Sequence, residues 1–86
     1  MSFEVLAEPT RRRLLNLLLE SDRTVGELTS RLDMSQPAVS KHLRILRDAG
    51  LVSVRADAQR RVYSLRPEPL IEIDAWLDPY RRLWRR

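Results

Sequence analysis

Residues 35–51 read "SQPAVSKHLRILRDAGL", and both ends of this stretch carry helix punctuation. A serine hydroxyl can cap the first free backbone N–H groups, and a proline in the first turn lacks an N–H that would have no helical partner there. Gly50 supplies the left-handed stop at the far end. At about 100° per residue, Ile45, Ala38, Ala49, His42, Leu46, Val39 and Leu43 fall in one arc. Gln36, Arg47, Ser40, Arg44, Pro37, Asp48 and Lys41 fill the other. A solvated helix face normally mixes its signs, whereas this one sets three cations against a single acid. Ser40 and Arg44 lie near its middle, Gln36 projects from the first turn, and Lys41 and Arg47 flank it. Short Ser and Gln side chains permit close approach to base edges, Arg can bond guanine through two parallel hydrogen bonds, and Lys can neutralise phosphate. The helix start, at Ser35, also offers free N–H groups to a phosphate.

Upstream, "TVGELTSRLD" (24–33) reads as a second, short helix. Thr24 and Glu27 form a capping box, and Val25, Leu28 and Leu32 form its buried stripe. "DMS" (33–35) is a tight break. A short helix, a three-residue turn and a basic helix predict a helix-turn-helix whose second helix enters a DNA groove, with Thr24 at the head of the first also expected to contact DNA. Further upstream, Pro9 suits the first turn of "PTRRRLLNLLLES" (9–21), where Leu14, Leu15, Leu18 and Leu19 recur with helical spacing. Arg11 to Arg13 oppose the dipole at that helix start, so the cluster is either tolerated or used. Phe3, Val5 and Leu6 form an apolar lead-in.

Downstream, "LVSVRA" (51–56) and "RVYSL" (61–65) predict a hairpin joined through "DAQR" (57–60), with Arg60 and Arg61 at a basic tip. That loop lacks glycine, so a wider or more mobile turn is expected. Residues 67–86, "PEPLIEIDAWLDPYRRLWRR", read as helical. Leu70, Ile73, Trp76, Leu77, Tyr80, Leu83 and Trp84 hold one phase across Pro79. A kink is expected there because the proline ring clashes with the Ala75 carbonyl; a break into two helices, with Asp78 capping the second, is the alternative. The amphipathic pattern is still running at "LWRR", so the last helix is expected to continue beyond it. The expected fold is one domain over residues 1–86, mainly α with a β-hairpin wing. Its order is α-α-α-β-β-α after a short helical lead-in: a winged helix-turn-helix.

The chain has 86 residues, enough for one modest core. No run is long and apolar enough to span a bilayer, and "MSFEVLAEPT" lacks the pattern of a signal peptide. A cytoplasmic protein, nucleoid-associated when bound to DNA, is expected. With no cysteine and one histidine, no nucleophile–base–orienter set can be assembled, which argues against an enzyme. The net charge of +4 is segregated: residues 1–34 carry −1, residues 35–66 carry +5, and residues 67–86 balance. A localised basic segment is the electrostatic signature of a polyanion partner.

The stretches "LAEPTRRRLLNLL", "VGELTSRLDMSQPAVSKHLRILRDAGLV" and "RRVYSL" resemble the ArsR/SmtB-type winged-helix regulators of bacteria over nearly the whole chain. "SQPAVSKHLRILRDAGLV" is the most specific block. The resemblance implies a homodimer, joined by the first and last helices, that binds an inverted repeat in promoter DNA and represses transcription. Gln36, Ser40, Lys41 and Arg44 match the reading-helix contacts of that family, and Arg60 and Arg61 match its wing. Phe3, Val5, Leu6, Leu70, Ile73, Trp76, Leu77, Tyr80, Leu83 and Trp84 are the expected dimer residues, since pairing hides surface that one copy cannot cover.

Two departures bear on metal sensing. Many relatives carry a cysteine pair where this chain reads "TVGELTSRL". Others use carboxylate and histidine ligands on the last helix, which here offers Glu72, Asp74 and Asp78 but no histidine. Borderline metals favour His or Cys, so these carboxylates are expected to balance Arg81, Arg82 and Arg85. The chain resembles the metal-independent branch, and no metal or cofactor is expected. His42 falls in the apolar arc, where a backbone hydrogen bond is expected; pH sensing or a phosphate contact is the alternative. A non-specific architectural DNA binder and a protein-binding winged helix remain the competing functions.

Overall fold

The computed structural model describes residues Ser2–Arg85. Helix α1 (Glu4–Ala7) leads into α2 (Pro9–Glu20); β1 (Arg23–Thr24), α3 (Val25–Leu32) and α4 (Gln36–Asp48) follow. The wing is β2 (Val52–Asp57) and β3 (Arg60–Leu65), and the chain ends in α5 (Glu68–Leu77) and a 3-10 helix over Asp78–Leu83.

Helix boundaries obey local chemistry. The Glu8 carboxylate accepts from the Thr10 N–H at 2.6 Å and starts α2 at Pro9. Thr24 and Glu27 form the expected reciprocal box at α3. Asp33, in the left-handed region at φ 54°, ends α3 and turns the chain within three residues to Ser35. Leu14, Leu15 and Leu18 of α2, Leu28 and Leu32 of α3, and Val39, Leu43 and Leu46 of α4 converge with Leu51 and Val52 on one core. Leu19 departs from the stripe and is exposed, while Leu17 packs against the core.

The sheet has a strand more than the hairpin expected from the pattern. It is antiparallel in the order β1-β3-β2, with Arg23 opposite Tyr63 and Thr24 opposite Val62. Two residues are too few to show an alternation. Arg23 is nevertheless buried: its Nε donates to the Leu17 carbonyl at 3.0 Å and its Nη2 to Glu20 at 2.9 Å, closing the end of α2.

At Pro79 the expected alternative, a break into two helical segments, is the nearer form, without the Asp78 cap. The α ladder stops at Leu77 and passes into the 3-10 helix with Pro79 in its first turn, while Asp78 stays helical and makes no side-chain cap. Removing the N–H at 79 ends the i→i+4 pattern, and the tighter i→i+3 bonds carry the chain on. Arg81 reaches back across the junction to the carboxylate of Asp74 and, at 3.7 Å, to that of Asp78. The radius of gyration is 14.3 Å, against about 12 Å for a compact chain of this length. The terminal arms account for the excess: α1, α5 and the 3-10 helix contain no buried residue. No helix among the described residues is long and apolar enough to cross a membrane.

Candidate nucleic-acid interface

The reading helix is held at both ends. The Ser35 hydroxyl accepts from the Ala38 N–H at 3.3 Å. At the far end the Leu51 N–H donates to the Leu46 carbonyl and the Gly50 N–H to that of Arg47, both at 2.9 Å. This paired closure needs a left-handed residue, and Gly50 takes φ 78°. Between these stops the two arcs separate as the wheel predicts. Ala38, Val39, His42, Leu43, Ile45, Leu46 and Ala49 are buried or half-buried, whereas Gln36, Pro37, Ser40, Lys41, Arg44, Arg47 and Asp48 are all exposed.

Many of the other cations are committed inside the fold. Arg11, Arg12 and Arg23 donate to main-chain carbonyls at helix ends. Arg55 bonds Asp22 and Ser64, Arg66 bonds Glu68, and Arg81 bonds Asp74. Lys41, Arg44 and Arg47 have no side-chain partner among the described residues, so the whole cationic face of α4 is available to a ligand. In the wing, Arg60 pairs with Asp57 at 3.1 Å across the turn, while Arg61 has no side-chain partner among the described residues. The turn is tighter than expected. It has two central residues, Ala58 and Gln59, between the paired Asp57 and Arg60, and Ala58 itself adopts φ 57° in place of a glycine.

A cleft of about 330 Å³ opens between α4 and the wing, lined by Ser40, Leu43, Arg44, Arg47, Asp48 and Tyr63. Tyr63 was not foreseen as a site residue, because a strand tyrosine reads as sheet packing. Arg47 was visible only as a flank of the polar arc.

The sequence profile described as "Bacterial regulatory protein, arsR family" matches residues 8–54, which span α2 to the start of the wing. The chain belongs to the arsR family. It is 40% identical over 81 residues to the transcriptional activator HlyU of Vibrio cholerae, covering 94% of this chain and 72% of that protein. It is 35% identical over 75 residues to the transcriptional repressor SdpR of Bacillus subtilis, covering 87% and 83%. A crystal structure of a possible transcriptional regulator for arsenical resistance superposes with a TM-score of 0.81 at 44% identity, covering 92% of this chain and 82% of that one. This arsR-family chain is a DNA-binding transcription regulator with a winged helix-turn-helix fold, not an enzyme.

Thr24 and His42 each make a side-chain contact within the fold. The Thr24 hydroxyl is engaged in its own helix: it donates to Glu27 Oε1 at 3.0 Å and accepts from the Glu27 N–H at 3.2 Å. The Thr24 N–H, and then its hydroxyl, hold the Glu27 carboxyl below its ordinary value of 4.5. His42 meets a side chain rather than backbone, with Nδ1 lying 3.5 Å from the Arg11 guanidinium. Arg11 and Arg12 resolve the puzzle of their cluster, since both guanidinia donate to carbonyls at the end of α1. Arg11 bonds Glu4 and Val5, and Arg12 bonds Leu6 and Ala7.

The expected dimer residues divide in two. Val5, Leu6 and Leu70 pack against the core, whereas Phe3, Trp76, Tyr80, Leu83 and Trp84 are exposed, with Ile73 and Leu77 between these extremes. Phe3 stacks on Trp76 at 5.6 Å between ring centroids and Trp76 on Tyr80 at 5.3 Å, so the two terminal arms share one aromatic face. Ile71, also exposed, was not anticipated. Among the described residues no three His, Cys, Asp or Glu side chains are grouped to hold a metal.

Proposed function

We propose that this regulator is a sequence-specific repressor that acts as a cytoplasmic homodimer on an inverted-repeat operator, without sensing metal. The observation that carries the DNA reading is the exposed, unpaired cationic face of α4. Gln36, Ser40 and Arg44 read base edges, Lys41 neutralises a phosphate, Ser35 marks the helix start that faces the backbone, and Arg60 and Arg61 extend the contact through the wing. Thr24 acts by fixing the start of α3.

The aromatic face supports the dimer. Phe3, Trp76, Tyr80, Leu83 and Trp84 form an apolar surface on arms that fully bury no residue in a single copy, and a second copy of the same arms would cover it. Two-fold pairing places two reading helices about 34–36 Å apart, or a multiple of that, and demands half-sites with matching symmetry. Against metal sensing stand the cysteine-free α3 and the histidine-free last helix, whose Asp74 and Asp78 are turned to Arg81.

Selection of duplexes from a random DNA pool at near-physiological salt tests this reading. An enriched inverted repeat, followed by lower transcription in vitro from a promoter carrying it, is the expected result. Flat enrichment with steep salt sensitivity indicates architectural binding instead. Failure to retain any duplex leaves the protein-binding winged helix as the better reading.

A further inference from the structure

We infer that the cleft at the root of the wing seats one phosphate of the DNA backbone, held by Arg47 from α4 and Tyr63 from β3. This inference rests on the DNA reading above and adds two contacts to it.

Position is the first argument. Residues near the start of a recognition helix contact base edges. Arg47 lies in the last turn of α4, where the helix runs out of the groove and alongside the sugar–phosphate wall. Tyr63 approaches from the other side, and its place is firmly set. Its strand is the middle one of three, so it pairs with Arg23 on one edge and Val54 on the other. Alternation along β3 puts Arg61 on the same face as Tyr63, two residues nearer the tip. Arg47, Tyr63 and Arg61 thus mark a path from the reading helix out along the wing.

Chemistry is the second argument. Ser40, Arg44, Arg47, Asp48 and Tyr63 all line one cleft, yet none of their side chains has a hydrogen-bond or ion-pair partner among the described residues. Arg44 and Asp48 stand four residues apart on α4, a spacing that suits an ion pair, and still do not bridge. Two guanidinia outweigh the one carboxylate, which leaves a net positive cleft with unused donors. A guanidinium can meet two oxygens of a phosphate at once, and a phenol adds a neutral donor. The same chemistry would accept free inorganic phosphate, so the test separates the two sources.

Fluorescence anisotropy with the selected operator and a scrambled duplex, from about 50 to 200 mM salt, reads the effect directly. Arg47→Ala is expected to weaken both duplexes equally, keep their affinity ratio, and reduce the salt slope by about 0.9 for each bound copy, about 1.8 for the dimer. Arg47→Lys should keep that slope while losing affinity, because charge survives and the planar fork does not. Tyr63→Phe should lose affinity on both duplexes with the slope unchanged. Arg82→Ala, a charge removed outside the cleft, serves as control, and circular dichroism melts check that each variant folds. An Arg47→Ala slope matching that of Arg82→Ala overturns the inference, as does a loss confined to the operator. Inorganic phosphate that shifts the Arg47 side-chain NMR signal, combined with an unaltered DNA slope, assigns the cleft to a free anion and also overturns it. If the wild type binds neither duplex, the DNA reading itself fails; if it binds and only the Arg47 result is missing, the cleft assignment alone fails.

Discussion

Helices α4 and α5 both space their apolar residues by threes and fours, yet α4 lays Val39, Leu43 and Leu46 on its own chain at 0% exposure, whereas α5 buries no residue and leaves Trp76 54% exposed. Their polar sides differ in the opposite sense. Lys41, Arg44 and Arg47 are unpaired among the described residues, while Arg81, just beyond α5, is tied to Asp74 and Asp78. Each helix is therefore complete on one side and open on the other. An amphipathic pattern says that a face will be covered; only the fold tells whether the cover comes from the same chain. Here α4 lies under α2, α3 and the hairpin, whereas α5 touches the core through Leu70 and leaves Trp76 exposed.

The largest expected effect falls on the completed face. Leu43→Ala should destabilise the fold by about 2–5 kcal/mol in urea denaturation; a loss well below that range would mean the α4 core is not close-packed. The open face of α5 should respond differently. In the proposed dimer, Trp76→Ala should weaken association by about 2 kcal/mol or more, read by sedimentation over a concentration series. The same variant should leave the unfolding of the dilute chain nearly unchanged, and a large drop there would place Trp76 in the core instead. On the open side of α4, Arg44→Ala should cost about 1–3 kcal/mol of operator affinity and relax specificity at one position per half-site, with no change in stability. Equal loss on every duplex would make Arg44 a phosphate contact. Outside both helices, Ala58→Gly should stabilise the fold by about 1 kcal/mol in a thermal melt, by relieving the left-handed conformation. No gain would mean that the turn is not strained.

The smallest effect is a pH dependence that distinguishes the helix starts. The cap of α4 is the neutral Ser35. At α5 the Glu68 carboxyl sits below its ordinary 4.5, held first by its own backbone N–H and then by Arg66. Glu8 at α2 is lowered chiefly by the Thr10 N–H, and Glu27 at α3 by that of Thr24. A carboxylate whose folded-state value is depressed lends its stability above the unfolded value and loses it as pH falls through the folded one. Amide protection, taken relative to the intrinsic exchange rate at each pH, should therefore fall at the starts of α2, α3 and α5 as pH drops below about 4.5, and least at the start of α4. A uniform loss of protection would count against these carboxylate contacts.

The sequence made α4 legible because cap, arc and glycine stop are all local signals that agree. The Thr24–Glu27 box was equally plain. Less legible were features made by distant parts of the chain. Arg23 enters the sheet only because Tyr63 is there to pair with it. The tight turn at Ala58 was hidden because β2 and β3 hold an alanine in a conformation it rarely chooses alone. Tyr63 joined the cleft through strand register, which a five-residue, partly alternating run does not announce. In the same way, nothing local distinguishes Arg11 and Arg12, clamped onto carbonyls, from Arg13, which has no partner among the described residues.

That clamp has a mechanical consequence. The Arg11 guanidinium grows from α2, holds the carbonyls of Glu4 and Val5, and touches His42 on α4. The N-terminal arm, which carries Phe3 to Trp76, and the helix that enters the groove are thus referenced to one planar group. In the proposed dimer, two copies joined through their arms would gauge the gap between their reading helices through this joint as well as through the seam itself. Such a dimer would work as a calliper whose jaws are set from the pivot, its tolerance for half-site spacing fixed in part by a side chain committed to the fold.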